Sequence, residues 1–359
     1  MKRKIIIAIT LLLVTFGVIM VYSSSSIWSE FKFDDRFYFV RHQIIFAVLG
    51  TVVMYGLSKI NYKIYKKQAN WIILICFLLL GLVLIPGIGI IRNGSRSWFG
   101  IGSFGIQPSE GAKIGLTIFM AKYLTNNEKA MSSFKKGALP ILLVIFLFFG
   151  LIMLQPDFGT GMVIVVTMIG MLFVSNIKLS FFAWLGASGL LGMVALIIAA
   201  PYRIARIMSF LNPWSDPLGS GFQIIQSLYA IGPGGLFGLG FGNSIQKHFY
   251  LPEPQTDFIF AIISEEFGFM GIVILGTLYL ALFYQILKIS LNTNDLFAKY
   301  LSFGLIFGIM FQTALNISVV IGLVPVTGVT LPFFSYGGSS LLVSMASIGI
   351  ILNIGKSVK

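Results

Sequence analysis

The residues of this chain that could do chemistry stand where such residues are expensive. In "LPEPQTDFIFAIISEEFGFMGIVIL", residues 251–275, a run that turns continuously apolar after Phe258 carries Asp257 at its mouth and Glu265 and Glu266 inside. A carboxylate in hydrocarbon costs a few kcal/mol, so each acid needs a partner or a task. On a helix, Asp257 and Glu265 would lie about 80° apart and two turns distant, with Glu266 roughly opposite Asp257. The plain alternatives are a helix cap for Asp257 and polar contacts between spans for the two glutamates.

Three more clusters share this character. In "RNGSRSWFGIGSFGIQPSEGAK", Arg96 and Trp98 fall in a loop, and Ser109 can cap a helix that carries Glu110 and Lys113. Glu110 and Lys113 are three residues apart, so they share a helix face and can neutralise each other. That pair reads equally well as a packing device or as a polar cavity in which Lys113 faces a phosphate. In "LQPDFGTG", Asp157 or Thr160 suits the N-cap of the next helix. In "PYRIARIMSFLNPWSDPLGSG", Arg203 and Arg206 can contact one pyrophosphate from a single helix. Lipid headgroups would use the same two arginines. Asp216 before Pro217 reads as an ordinary turn.

The elements that must position these groups follow from composition. Of 359 residues, 57% are hydrophobic and 10% charged, against about a quarter charged in soluble domains. Apolar runs long enough to cross a bilayer recur throughout. They predict an all-α polytopic membrane protein of about ten transmembrane helices, near residues 5–24, 43–58, 71–90, 110–124, 138–155, 160–176, 179–200, 258–287, 299–322 and 334–354. Period-two strands of the barrel type are absent. "MKRK" ahead of an apolar run without an A-x-A site reads as an uncleaved first span. The whole of residues 1–359 reads as a single integral membrane domain, with one large extracytoplasmic loop at about 201–257 between the seventh and eighth spans.

Charge placement sets the orientation. Ten spans put both termini on one side, where 16 bases meet two acids, while eight bases and seven acids fall opposite. The positive-inside rule therefore predicts cytoplasmic termini. It also accounts for the net charge of +13 without nucleic acid. Cys76 is the one cysteine and lies in an apolar run, and His42 and His248 are far apart, so no His/Cys metal cluster is expected. Within the long loop, "FQIIQSLYAIG" predicts an interfacial helix with Phe222, Ile225 and Tyr229 on one face. "GPGGLFGLGFGNS" lacks the strand–helix setting of a dinucleotide fingerprint. It reads as a mobile loop or as close backbone packing.

Taken in order along the chain, "FGIQPSEGAK", "QPDFGTG", "PYRIARIMSFLNPWSDPLGSGFQIIQSLYAIG", "GNSIQKHFYLPEPQTDFIFAIISEE" and "PVTGVTLPFFSYGGSS" resemble the SEDS family, whose members include FtsW and RodA. "NPWSDP" and "GNSIQK…YLPE" are more similar to the division branch, FtsW. The resemblance implies ten transmembrane helices and a peptidoglycan glycosyltransferase that polymerises lipid II at the outer face of the bacterial cytoplasmic membrane. It also implies a class B penicillin-binding protein as partner. By the same resemblance the essential aspartate is Asp257, and Trp98, Glu110 and Lys113 match family positions. Gln255 departs from the pattern, standing where histidine is common. That departure counts against a universal proton relay through the position and leaves Asp257 untouched.

The chemistry so implied joins a sugar hydroxyl to an anomeric carbon bearing an α-linked lipid pyrophosphate, with one inversion. It needs a base and positive charge for the leaving group. Asp257 is the expected base. Lys113, Arg203 and Arg206, with Arg96 beyond them, are the expected partners of the diphosphate, and Asp157 and Glu265 are expected to shape the site. A divalent cation (Mg or Mn) at Asp257 is an alternative role. The rival readings are a lipid II flippase, whose pathway would also need intramembrane charges, and a non-catalytic scaffold for the transpeptidase.

Overall fold

A computed structural model describes residues 2–92, 94–101, 104–198 and 201–357. The helices are α1 (Lys2–Phe33), α2 (Tyr38–Lys59), α3 (Lys63–Leu82), α4 (Pro108–Asn126), α5 (Leu139–Met153), α6 (Phe158–Phe173), α7 (Leu179–Ile198), α8 (Pro201–Leu211), α9 (Phe222–Ile231), α10 (Ile259–Asn292), α11 (Leu296–Val320) and α12 (Gly338–Ile354). Each apolar stretch read from the sequence coincides with one of them. Among the described residues, six helical segments are long and apolar enough to cross a membrane, and α6, α7 and α12 are shorter apolar helices. The chain is thus a polytopic helical membrane protein.

The details differ from the sequence reading in instructive places. The third helix starts at Lys63 and ends at Leu82 rather than spanning 71–90. Its first turn is basic, and long lysine stems can carry their charges out to water. The residues after it turn at Pro86 and Gly87 and enter a small antiparallel sheet of β1 (Ile90–Arg92), β2 (Ser95–Ile101) and β3 (Phe104–Ile106), in that order. The apolar-run reading placed no strand there, because seven residues of mixed polarity carry no span signal. α9 forms as expected, but Ile224, Ile225, Ser227 and Ala230 are its buried residues, and Tyr229 is exposed beside Trp214. The seryl hydroxyl of Ser227 donates to Val320 O at 2.7 Å, which turns the helix toward α11.

α11 is the axis of the bundle, packing on α4, α6, α10 and α12, while α12 lies along α2 and α3 along α4. Phe148, Phe258, Phe297 and Phe334 are fully buried among these helices.

α10 is broken at Gly268, whose φ of 61° and ψ of −161° belong to a region open in practice only to glycine. The break frees backbone groups on both sides, and the loop at 234–240 takes them up. Leu239 and Gly240 N–H donate to Glu265 O and Glu266 O at 2.9 and 3.0 Å. Phe269 and Met270 N–H donate to Gly235 O and Leu236 O at 2.8 and 3.0 Å. Irregular backbone is tolerated at membrane depth only when protein satisfies it in this way. The glycine-rich loop is therefore close backbone packing. A side chain at Gly238 would collide with Glu266 O, and one at Gly268 with Gly238 N.

Candidate functional site

The first group of polar residues gathers at the N-terminal end of α4. Pro108 occupies the first turn and Gln107 is the N-cap residue, so Ser109 does not cap the helix as expected. Ser109 instead donates to Asp157 Oδ2 at 3.3 Å, and Gln107 Nε2 donates to the same oxygen at 2.8 Å. Asp157 is the N-cap of α6, accepting from Thr160 N–H at 3.2 Å. One turn further along α4, Lys113 Nζ lies 2.8 Å from Glu110 Oε2 and donates to Gln312 Oε1 at 2.7 Å. Glu110, Lys113 and Asp157 thus belong to one polar cluster joining α4, α6 and α11. The Lys113 ammonium also borders a cavity that runs between α4, α6, α11 and α12 past Thr117, Thr167 and Ser347.

The strand β2 flanks this cluster. Ser95 donates its hydroxyl to Gln155 O, which ties the strand to the turn before Asp157. Arg96 pairs with Ile91 and Trp98 with Ile90 across the β1–β2 ladder, and both side chains are half-buried. The guanidinium of Arg92 lies 5.2 Å from the Trp98 ring centroid, a cation–π contact. Arg203 and Arg206 fall on α8, but their side chains lie outside the described residues.

Asp257 is half-buried in the turn that leads into α10. It is not the cap of that helix, since Phe258 holds the N-cap position without a side-chain bond. The Thr256 hydroxyl is shared between Asp257 Oδ1 at 2.9 Å and Glu253 O at 2.7 Å. The main chain is held from two directions. Asn316 Nδ2 donates to Asp257 O at 2.6 Å, and Tyr336 N–H donates to Gln255 O at 2.8 Å. Gln312 and Asn316 are four residues apart on α11 and share a face. This face therefore reaches Lys113 with one amide and Asp257 with the other.

Glu265 and Glu266 are engaged elsewhere. Glu265, fully buried, accepts from Ile245 and Gln246 N–H at 2.9 and 3.3 Å and from the Ser244 hydroxyl. Glu266 accepts from the Ser23 hydroxyl at 2.6 Å and pairs with Lys247 Nζ at 3.1 Å, with both partners buried. Asp257 precedes the helix, so the expected common face with Glu265 does not form. The two glutamates anchor the 239–247 loop and α1 to α10. In the exposed loop between α8 and α9, the Ser220 amide and hydroxyl donate to Asp216 and hold its carboxyl below the usual range.

Reasoning from sequence singled out Asp257, Lys113 and Asp157 but passed over Gln312, Asn316, Lys247 and Ser23. Gln312 and Asn316 did carry a signal, as two amides one turn apart in an otherwise apolar span. Such residues face the bundle interior and find partners there.

As for a metal, no group of three or more His, Cys, Asp and Glu side chains comes together among the described residues. Asp257 and Thr256 offer one carboxylate and one hydroxyl, too few for an all-protein site, although magnesium can be held by one carboxylate together with substrate phosphates.

Fold and site together define a multi-pass membrane protein with a carboxylate at the mouth of a broken helix and a lysine-centred polar cluster inside the bundle. The chain belongs to the FtsW/RodA/SpoVE family, described as cell cycle protein, which it matches over residues 3–359; this is the SEDS family of the sequence resemblance. It is 52% identical over 352 residues to stage V sporulation protein E of Bacillus subtilis (strain 168), covering 98% of this chain and 96% of that one. It is 38% identical over 355 residues to the probable peptidoglycan glycosyltransferase FtsW of Geobacter sp. (strain M18), covering 99% and 97%. Among solved structures it superposes with a TM-score of 0.81 and 31% identity on a chain of a peptidoglycan synthase complex that coordinates polymerization and crosslinking, covering 98% and 96%. The rod shape determining protein RodA of Thermus thermophilus gives a TM-score of 0.72 at 27% identity, covering 98% and 95%.

Proposed function

We propose that this protein is a peptidoglycan glycosyltransferase that polymerises lipid II at the outer face of the bacterial cytoplasmic membrane, with both termini in the cytoplasm. The observation that carries the proposal is Asp257. It is a half-buried carboxylate at the mouth of α10, with its main chain gripped by α11. The names of the FtsW relatives support the activity. The charge asymmetry of the loops supports the orientation. The kinship to a sporulation protein and to FtsW supports a role in division-type wall synthesis, including sporulation. Likeness to a chain of a peptidoglycan synthase complex supports a class B penicillin-binding protein as partner.

In the reaction, Asp257 accepts the proton of the attacking sugar hydroxyl as its oxygen bonds to the anomeric carbon of the donor. The bond from that carbon to the lipid pyrophosphate breaks, and its electron pair leaves on the pyrophosphate oxygen. Lys113, Arg203 and Arg206, with Arg96, supply positive charge toward that oxygen, where preorganised cations stabilise the transition state most. Asp257 would be the residue to hold a divalent cation, which would supply further positive charge. Replacing Asp257 with Asn in purified protein supplied with lipid II tests the assignment. Polymerisation should fall by about 100-fold or more, and near-normal strand synthesis would sink it.

A second reading draws on the break in α10. Discontinuous helices line substrate paths in transporters, and the largely shielded Glu110–Lys113 pair would suit a lipid II flippase. Proteoliposomes with fluorescent lipid II separate the two readings. Glycan strands without transbilayer movement support the polymerase, and movement without strands supports the flippase.

A further inference from the structure

Two buried amides on α11 link the two halves of the proposed site. Gln312 accepts from Lys113 Nζ through Oε1 and donates through Nε2 to Thr330 O at 3.0 Å. Asn316, one turn later, donates through Nδ2 to Asp257 O at 2.6 Å and to Val329 O at 2.8 Å. The two acceptors Val329 O and Thr330 O are adjacent in the chain. The two amides therefore staple the segment before α12 to α11, and each also holds one functional residue.

The orientation of Asn316 is fixed by what surrounds it. Both nearby groups are carbonyls, which only accept, so the NH₂ end must face them. The residue is 1% exposed, leaving no solvent to substitute for the lost donor. Three contacts converge on the 255–257 turn: the Asn316 amide on Asp257 O, the Tyr336 N–H on Gln255 O and the Thr256 hydroxyl on the carboxylate. Of these, the Asn316 contact alone comes from a transmembrane helix side chain.

We infer that Asn316 is a positioning residue for the transfer, setting the height and direction of Asp257 by clamping its main-chain carbonyl to α11. This rests on Asp257 acting as the base. A base displaced by about 1 Å can lose on the order of 100-fold in rate while the substrate still binds. The role lies in the transition state rather than in substrate affinity.

The test is steady-state lipid II polymerisation by purified, monodisperse wild type, Asn316→Ala, Asn316→Asp and Asp257→Asn, with melting temperature and lipid II binding recorded for each. Asn316→Ala should lower kcat by about 100-fold and leave KM within about threefold. Asn316→Asp keeps the volume but turns the donor into an acceptor facing two carbonyls, so it should fall at least as far. If Asn316→Ala does not yield folded protein, Asn316→Gln takes its place, with the same pattern expected because the longer side chain shifts the clamp. The inference is overturned if Asp257→Asn is inactive while the folded Asn316 variants keep wild-type kcat, if their loss appears in KM, or if neither Asn316→Ala nor Asn316→Gln folds. Should Asp257→Asn itself remain active, it is the base assignment that fails.

Discussion

The ammonium of Lys113 stands 2.8 Å from the carboxylate of Glu110, one turn back on the same helix. Both side chains are largely shielded from solvent, so neither can be removed alone without stranding a charge. Lys113→Met should destabilise the protein by about 3–5 kcal/mol, the usual cost of breaking such a pair. Adding Glu110→Gln should restore much of that stability but not polymerisation. Melting curves in detergent, paired with strand synthesis, read both effects. A double variant as unstable as the single one would show that the pair is not the source of the loss.

The Lys247–Glu266 pair makes a different prediction, because it ties a loop to the bundle. Lys247→Met removes the contact to Glu266, one of the anchors of residues 239–247. Amide exchange across that loop should quicken by about tenfold or more, which corresponds to losing roughly 1.4 kcal/mol or more of local protection. Exchange in α12 should be unaffected. Uniform acceleration along the whole chain would mean global unfolding instead.

Gly268→Ala should destabilise by at least about 3 kcal/mol, since a β-carbon is strained at that backbone geometry and also meets the 234–240 loop. Gly276, eight residues on in the same helix, has open space around a built β-carbon. Gly276→Ala should be neutral or stabilise by roughly 0.5–1 kcal/mol. Thermal unfolding of the two variants side by side distinguishes a local requirement from general intolerance of α10 to substitution.

Removing both α8 arginines, as Arg203→Ala with Arg206→Ala, should raise the KM for lipid II by about tenfold, the worth of one charge-assisted bond. Folding should be unchanged. An unaltered dependence on lipid II concentration would argue that these residues meet bulk headgroups.

Asp216 gives a pH prediction with a definite sign. The Ser220 amide and hydroxyl hold its carboxyl below the ordinary value, which is about 3.9 in an unfolded chain. The turn's stabilisation is therefore complete above that value and disappears as pH falls through the lowered, folded one. NMR or exchange at the Ser220 amide should show the turn persisting below about pH 3.9 in wild type. With Asp216→Ala the acid transition should vanish.

The helices were legible because hydrocarbon demands long apolar runs, and these survive any error in their ends. The polar residues were harder to read. Glu265 and Glu266 looked unpartnered because their partners are backbone amides, two serines and a lysine on segments separate from α10 in the sequence. The 234–240 glycines were ambiguous for the same reason, since a glycine gives no sign of which backbone it approaches. Asp257 stood out on its own, whereas Asn316 did not, because an amide in a span announces a partner without saying which. The β2 strand was missed because both its neighbours, β1 and β3, are only three residues long.

The exchange of backbone bonds between the glycine loop and α10 also bears on how the chain is made. Segment 234–240 precedes α10 in the order of synthesis, so the groups that complete the broken helix are present before it enters the membrane. Insertion of α10 is then a docking event as much as a partitioning one. A defect in the upstream loop would leave a bilayer-spanning segment with open backbone groups during biogenesis.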